Sequence, residues 1–295
     1  MKEPHDHFIH VRGLKIHYLE WGERNGEPLI LVHGWRDHAR SWDFFVAALR
    51  ERYGNQPWII APDCRGHGDS GWVGAGGYYH FPDYVMDLDC LIEHLQVSHL
   101  SLIGHSMGGT ISFLYSGTFP SRVKKLVLIE GIGPLGMAFS DAPARMEKFL
   151  SEMQAIRQGN IEYQSFEYPS FEEAARRLQK INPRLGREKA LLVARWGMRQ
   201  TPSGKWVWKF DPLHRATSPQ PFYSAQAMEF FRRIQCPVLI VQGKESRQTP
   251  RPDTEERLSA ITHQTVAVVS DAGHMVHQDN PRALAEVVVP FLEGL

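Results

Sequence analysis

Short apolar runs alternate with longer amphipathic stretches along most of this 295-residue chain. An opening hairpin is predicted over residues 8–11 and 14–21, with Arg12 and Gly13 at its turn. Further apolar runs predict strands at residues 29–32, 58–61, 100–103, 123–129, 238–242 and 265–269. Amphipathic patterns predict helices at about residues 41–50, 84–95 and 281–295. Apolar strands that alternate with helices indicate right-handed crossovers, so the pattern predicts a doubly wound, mostly parallel α/β sheet flanked by helices.

The alternation stops between residues 135 and 223, where three stretches have helical periodicity and one short piece is extended. These four stretches cover residues 146–157, 171–180, 187–198 and 206–208. We interpret residues 135–223 as a mainly helical cap (lid) inserted into a core of residues 1–134 and 224–295. Such a cap would cover the carboxyl ends of the strands, where α/β sheets bind ligands. Trp206 and Trp208 are therefore candidates to bind substrate, and a peripheral extension without a role there is the alternative.

The segment Gly104-His105-Ser106-Met107-Gly108 fits the pattern G-x-S-x-G. An apolar strand precedes it and a helical stretch follows it, which is the context that a nucleophile elbow requires. In such a turn the serine hydroxyl stands clear of the sheet, and glycines on either side avoid collisions with neighbouring elements. Backbone N–H groups at the start of the helix also lie near the hydroxyl. Ser106 is therefore the candidate nucleophile.

Composition narrows the classes of function that the chain can have. Lysine plus arginine and aspartate plus glutamate both number 33, so the formal charge is zero and nothing indicates binding to nucleic acid or to an acidic membrane. The apolar runs are too short to span a membrane, and the first residues lack a signal-peptide pattern. The three cysteines are far apart and no metal-ligand, Walker or dinucleotide motif is present. We expect a cytoplasmic enzyme without metal or cofactor; its oligomeric state is not predicted.

Four motifs occur along the chain in the order typical of a known family. They are His-Gly-Trp-x-Asp at residues 33–37, Asp-x-Arg-Gly-His-Gly-x-Ser at 63–70, Gly-His-Ser-Met-Gly-Gly at 104–109 and Gly-His at 273–274. Together they resemble the α/β-hydrolase family, from about residue 8 to the end except for the middle segment. The first motif is similar to that of the serine hydrolase-like branch. The resemblance implies the α/β-hydrolase fold and a catalytic triad with the order serine, acid, histidine.

A serine nucleophile needs a base to accept its proton and a carboxylate to orient that base. The resemblance points to His274, in the loop after the last strand, as the base, with His277 as a competitor. His105 is adjacent to the nucleophile, where it could order the turn or contact substrate.

The position of the acid departs from the commonest family pattern. Many relatives carry an aspartate three residues after the glycine that ends the next-to-last strand, and this chain has Ser246 there. Glu130, at the end of the strand over residues 123–129, and Glu245 are the two candidates. Glu130 is favoured because a carboxylate at the end of a buried strand is costly unless it is used.

The oxyanion hole is expected to use the backbone N–H groups of Met107 and Trp35. A serine nucleophile implies an acyl-enzyme, and hydrolysis of small-molecule esters with apolar groups is the predicted reaction. Cleavage of a carbon–carbon bond, an amide or a lactone, or a perhydrolase activity, is an alternative on the same machinery. A non-catalytic ligand-binding protein that kept the fold is the alternative from another class.

Overall fold

Eight strands form the central sheet of the computed structural model, which describes residues 3–53, 57–74, 76–248 and 252–294. The strands of the chain are β1 (His5–Val11), β2 (Leu14–Trp21), β3 (Leu29–Val32), β4 (Ile59–Pro62), β5 (Leu100–His105), β6 (Val123–Ile129), β7 (Met198–Gln200), β8 (Trp206–Trp208), β9 (Val238–Gly243) and β10 (Gln264–Val269). The central sheet has the order β1-β2-β4-β3-β5-β6-β9-β10. β2 pairs antiparallel with both β1 and β4, and the remaining neighbours are parallel. The predicted mostly parallel α/β architecture is confirmed.

Helices cover both faces of this sheet. The helices are α1 (Asp43–Arg52), α2 (Phe81–His94), α3 (Met107–Thr118), α4 (Ala142–Arg157), α5 (Phe171–Ile181), α6 (Arg187–Gly197), α7 (Ser224–Arg233), α8 (Thr254–Ser259), α9 (Val276–Asp279) and α10 (Pro281–Glu293). Alternate residues of each strand point to opposite faces. Leu126 and Leu128 of β6 therefore pack with α2, α3 and α7, whereas Val127 and Ile129 pack with α1 and α10.

The first and last predicted helices differ from the structure at their ends. A 3-10 turn at Ala39–Trp42 precedes α1, so the helix begins at Asp43 and not at Ser41, whose hydroxyl donates to Asp37 Oδ2 at 2.9 Å. The closing helix ends at Glu293, and Leu295 lies outside the described residues. Within the described ranges, no helix combines the length and the apolar character needed to cross a membrane.

Residues 135–223, here called the inserted segment, contribute no strand to the central sheet within the described part of the chain. They contain α4, α5, α6 and a two-stranded antiparallel sheet of β7 and β8. Arg257 fastens both ends of the segment to the core. Its guanidinium donates to the Ile132 carbonyl at 2.8 Å, to Ser224 Oγ at 2.9 Å and to Asp253 Oδ2 at 2.9 Å. The side chain is fully buried, so this cation anchors the place where the chain leaves and rejoins the core.

Candidate active site

Ser106 occupies a sharp turn between β5 and α3, with φ 51° and ψ −111°. A side chain on Gly104 would place its Cβ 2.4 Å from the Gly108 carbonyl oxygen, and one on Gly108 would lie 2.0 Å from the carbonyl oxygen of Val32. The turn can therefore form only with glycine at both positions. The Ser106 N–H donates to the Ile129 carbonyl at 2.9 Å, which ties the strained residue to the end of β6. This is the geometry of a nucleophile elbow.

Glu130 follows β6 directly and its side chain is fully buried. Oε1 accepts the Gly243 N–H at 2.8 Å, and Oε2 accepts the Ser246 hydroxyl at 2.7 Å. The same Oε2 lies 3.4 Å from Nδ1 of His274, whose side chain is 21% exposed. The structure thus brings Glu130 and His274 together although they are 144 residues apart in sequence.

An acid of the triad must contact the imidazole of His274, whereas Glu245 contacts the loop backbone at Ala272. Its Oε2 accepts the Ala272 N–H at 2.7 Å and lies 3.9 Å from Nε of Arg184. The carboxylate therefore supports the backbone of the loop that carries His274. Ser246 was not among the candidate site residues, yet its hydroxyl stands beside the carboxylate that faces the imidazole. Its position three residues after Gly243 was the signal that could have revealed it.

His105 lies beneath the loop of His274 and is buried. Its Nε2–H donates to the His274 carbonyl at 2.9 Å, and its ring centroid lies 4.8 Å from that of His274 and 4.6 Å from that of His277. Burial, together with the two neighbouring imidazoles, holds the pKa of His105 well below its usual range, so the ring is neutral. His105 therefore orders the loop that carries His274, and its contact with substrate stays a prediction.

His277 is turned toward the early His-Gly-Trp loop. Its Nε2 lies 3.4 Å from both Asp37 Oδ2 and Ser41 Oγ, and its side chain is fully buried. Two groups of side chains bring atoms that could bind a metal ion within 4.8 Å of one another. One group is Asp37, His105 and His277, and the other is His17, Asp63 and Asp69. Within the first group Asp37 Oδ2 lies 3.4 Å from Nε2 of His277, and within the second Asp63 Oδ2 lies 2.7 Å from Nδ1 of His17. His277 thus links two loops of the site.

The early loop places Trp35 beside the elbow. His33 donates its Nδ1–H to the Gly34 carbonyl at 2.7 Å and accepts the Cys64 N–H at Nε2 at 2.9 Å, so this imidazole orders the loop. A side chain on Gly34 would approach Nδ1 of His105 to 2.7 Å, which shows how closely the loop packs on the elbow. Trp35 and Met107 both line the cavity next to Ser106.

A cavity of about 990 Å³ lies over the elbow, between the core and the inserted segment. Ser106 and Glu130 line it at the core, and most of its walls are apolar or aromatic. Apolar side chains of the wall include Trp35, Tyr78, Phe81, Leu114, Leu135, Met137, Leu213, Phe222 and Phe230. A cavity of this size is at the upper end of those that hold small molecules.

Trp206 and Trp208 lie at the small hydrophobic core of the inserted segment, and their contact with substrate stays a prediction. The backbone of Trp206 pairs with Tyr168 through hydrogen bonds of 2.8 and 2.9 Å, and its ring packs on Phe171 with centroids 5.4 Å apart. Both tryptophans pack against the small hydrophobic core of the inserted segment, and neither lines the cavity. The two indole rings pack against the few buried residues that form the core of the inserted segment.

The fold and the elbow define a hydrolase of the α/β class. Residues 29–287 match the model of the alpha/beta hydrolase family, and the chain belongs to that family. A serine hydrolase-like protein from Danio rerio is 28% identical over an alignment of 279 residues that covers 92% of this chain and 83% of the relative. Esterase Rv0045c from Mycobacterium tuberculosis is 25% identical, with 96% of this chain and 88% of the esterase covered.

A solved structure gives the same assignment of fold. The crystal structure of the hypothetical protein PA1622 from Pseudomonas aeruginosa PAO1 superposes with a TM-score of 0.86 at 27% identity and covers 98% of both chains. The resemblance to the serine hydrolase-like branch is confirmed, and the family and these relatives support hydrolase activity.

Proposed function

We propose that this protein hydrolyses carboxylic esters of small molecules through an acyl-enzyme on Ser106, with His274 as base and Glu130 as acid. The observation that carries the proposal is the approach of buried Glu130 to Nδ1 of His274, at 3.4 Å, beside a strained serine that lines a large cavity. The esterase among its relatives supports the choice of an ester.

The reaction proceeds in two halves. His274 Nε2 accepts the proton of Ser106 as the hydroxyl oxygen attacks the ester carbonyl, and Glu130 stabilises the imidazolium through Nδ1. The backbone N–H groups of Trp35 and Met107 stabilise the oxyanion. The imidazolium then protonates the leaving alcohol, and the acyl group stays on Ser106. A water molecule that gives its proton to His274 attacks this acyl group, which releases the acid and restores the serine.

The inserted segment is proposed to act as a cap. Its residues form the part of the cavity wall that faces Ser106, and the ends of the segment are fixed to the core through Arg257. Apolar walls around the scissile bond favour esters with apolar chains, because such chains leave water on binding.

Turnover of p-nitrophenyl esters from acetate to laurate, compared with the Ser106→Ala variant, tests the proposal. We expect the variant to lose about 10⁴- to 10⁶-fold in kcat, because the nucleophile acts as one unit with its base. Ser112→Ala is a matched control, since this buried serine donates to the Gly108 carbonyl and does not line the cavity. Equal turnover by wild type and Ser106→Ala would overturn the proposal, and absence of turnover on every ester would favour a ligand-binding role.

A further inference from the structure

Charged side chains line the cavity on its core side, where Glu130 lies, and on the side of the inserted segment, where Arg145 and Asp141 lie. Glu130 supplies a carboxylate beside Ser106, and Arg145 of α4 supplies a cation from the inserted segment. Among the described residues that line the cavity, Arg145 is the one lysine or arginine. His214 also lines it, but burial lowers the pKa of this imidazole to about 3, so it is neutral at physiological pH.

Arg145 is held in place by neutral groups. Its Nε–H donates to the Ser218 carbonyl at 2.7 Å, and Nη1 donates to the sulfur of Met137 at 3.0 Å. No carboxylate of the described residues lies within 4 Å of its guanidinium, and Nη2 makes no hydrogen bond to a described residue. Asp141, which lines the same cavity, accepts the Ala138 N–H at 3.1 Å instead. Arg145 thus offers two donors and a full charge to a group inside the cavity.

We propose that the substrate is an ester whose acyl chain ends in a carboxylate, with this carboxylate bound by Arg145 while the scissile carbonyl lies at Ser106. This inference rests on the proposed ester hydrolysis and deepens it. A half-buried arginine beside apolar side chains is stabilised most by an anionic partner. Its planar guanidinium can donate two parallel hydrogen bonds to a carboxylate. Repulsion by Glu130 disfavours the reverse orientation, with the free carboxylate at the elbow. The aliphatic and aromatic side chains that make up most of the cavity wall fit an apolar chain.

Matched series of esters test this charge preference. The p-nitrophenyl half-esters of linear dicarboxylic acids, from glutarate to sebacate, are compared with p-nitrophenyl alkanoates of equal chain length. We expect wild type to favour the half-ester by about 10- to 100-fold in kcat/KM at the chain length that spans the cavity, because hydrogen bonds to a charged group have this effect. Arg145→Gln should abolish the preference and change kcat/KM for the neutral esters less than threefold.

Two further variants separate charge from structure. Lys148→Gln removes a charge on the same helix from an exposed lysine that lies 3.9 Å from Glu152, and it should leave the preference unchanged. Arg145→Lys should keep part of it. Turnover of the neutral series without preference for half-esters at any length would overturn this inference and leave the proposed hydrolysis intact. An equal loss on both series in Arg145→Gln would also overturn it, since the arginine would then only support the wall.

A binding measurement covers the case in which no ester is turned over. Isothermal titration of the Ser106→Ala variant with the ethyl half-esters of the same dicarboxylic acids should give a Kd at least about tenfold lower than that of the double variant Ser106→Ala/Arg145→Gln. Equal Kd values would overturn the inference independently of any activity.

Discussion

The core end and the inserted end of the cavity are built in different ways. At the core, Ser106 and Glu130 directly follow the buried ends of β5 and β6, and both carboxylate oxygens of Glu130 have a defined partner. The inserted segment has a core of seven buried residues, four of them alanine, and α4 buries none of its side chains. Phe139, at 75%, and Leu135, at 61%, are largely exposed there.

From this contrast we expect the core to hold the reacting groups and the inserted segment to select the substrate. Reacting groups must be held in a fixed geometry, and a densely packed sheet supplies it at the carboxyl ends of its strands. A lightly packed segment can exchange side chains such as Arg145 at little cost to the fold, because few neighbours depend on them. We therefore expect substitutions at the core end to be severe and those in the inserted segment to be mild or selective.

The largest contrast is expected between the two glutamates of the core end. Glu130→Gln should lower kcat on p-nitrophenyl esters by about 10⁴-fold, because the amide no longer stabilises the imidazolium of His274. Glu245→Gln should lower it less than about tenfold, since Oε2 of Glu245 contacts the loop backbone at Ala272 and the side chain of Arg184. Comparable losses in the two variants, both shown to be folded by circular dichroism, would contradict the assignment of the acid.

A second contrast compares glycines of the two regions. Gly108→Ala should destabilise the fold by more than about 3 kcal/mol, because its Cβ would overlap the Val32 carbonyl oxygen at 2.0 Å. Gly186→Ala, at the start of α6, should change the free energy of unfolding by less than about 1 kcal/mol, since no atom lies within 4 Å of its Cβ position. Urea unfolding measures both values, and similar losses would show that the inserted segment is as tightly packed as the elbow.

The smallest effect on catalysis is expected at the tryptophans that were first considered substrate-binding. Trp206→Leu should lower the melting temperature, because it removes packing against Phe171 and against the small core of the inserted segment. The KM for each ester should change less than about threefold, since Trp206 does not line the cavity. A tenfold rise in KM for one chain length, with the melting temperature unchanged, would show that Trp206 contacts the substrate.

Local patterns were sufficient to predict most of the sheet. The strand at residues 123–129 was located to the residue, and the hairpin turn at Arg12 and Gly13 was also predicted. Such elements follow from the polarity and backbone preferences of neighbouring residues, which are readable along the chain. The helices α7, α8 and α9 were not predicted. For α8 and α9 the reason is their length, because six and four residues offer little periodicity.

The sequence by itself therefore determined the strands of the central sheet, the glycine-framed turn at Ser106 and the family. The tertiary structure decided which residues meet. Because β6 lies next to β9 in the sheet, Glu130 contacts Ser246 and faces His274, and Glu245 turns to the backbone of the neighbouring loop. Contacts between residues more than 100 positions apart depend on strand order and on packing across the sheet, which no local pattern of polarity encodes.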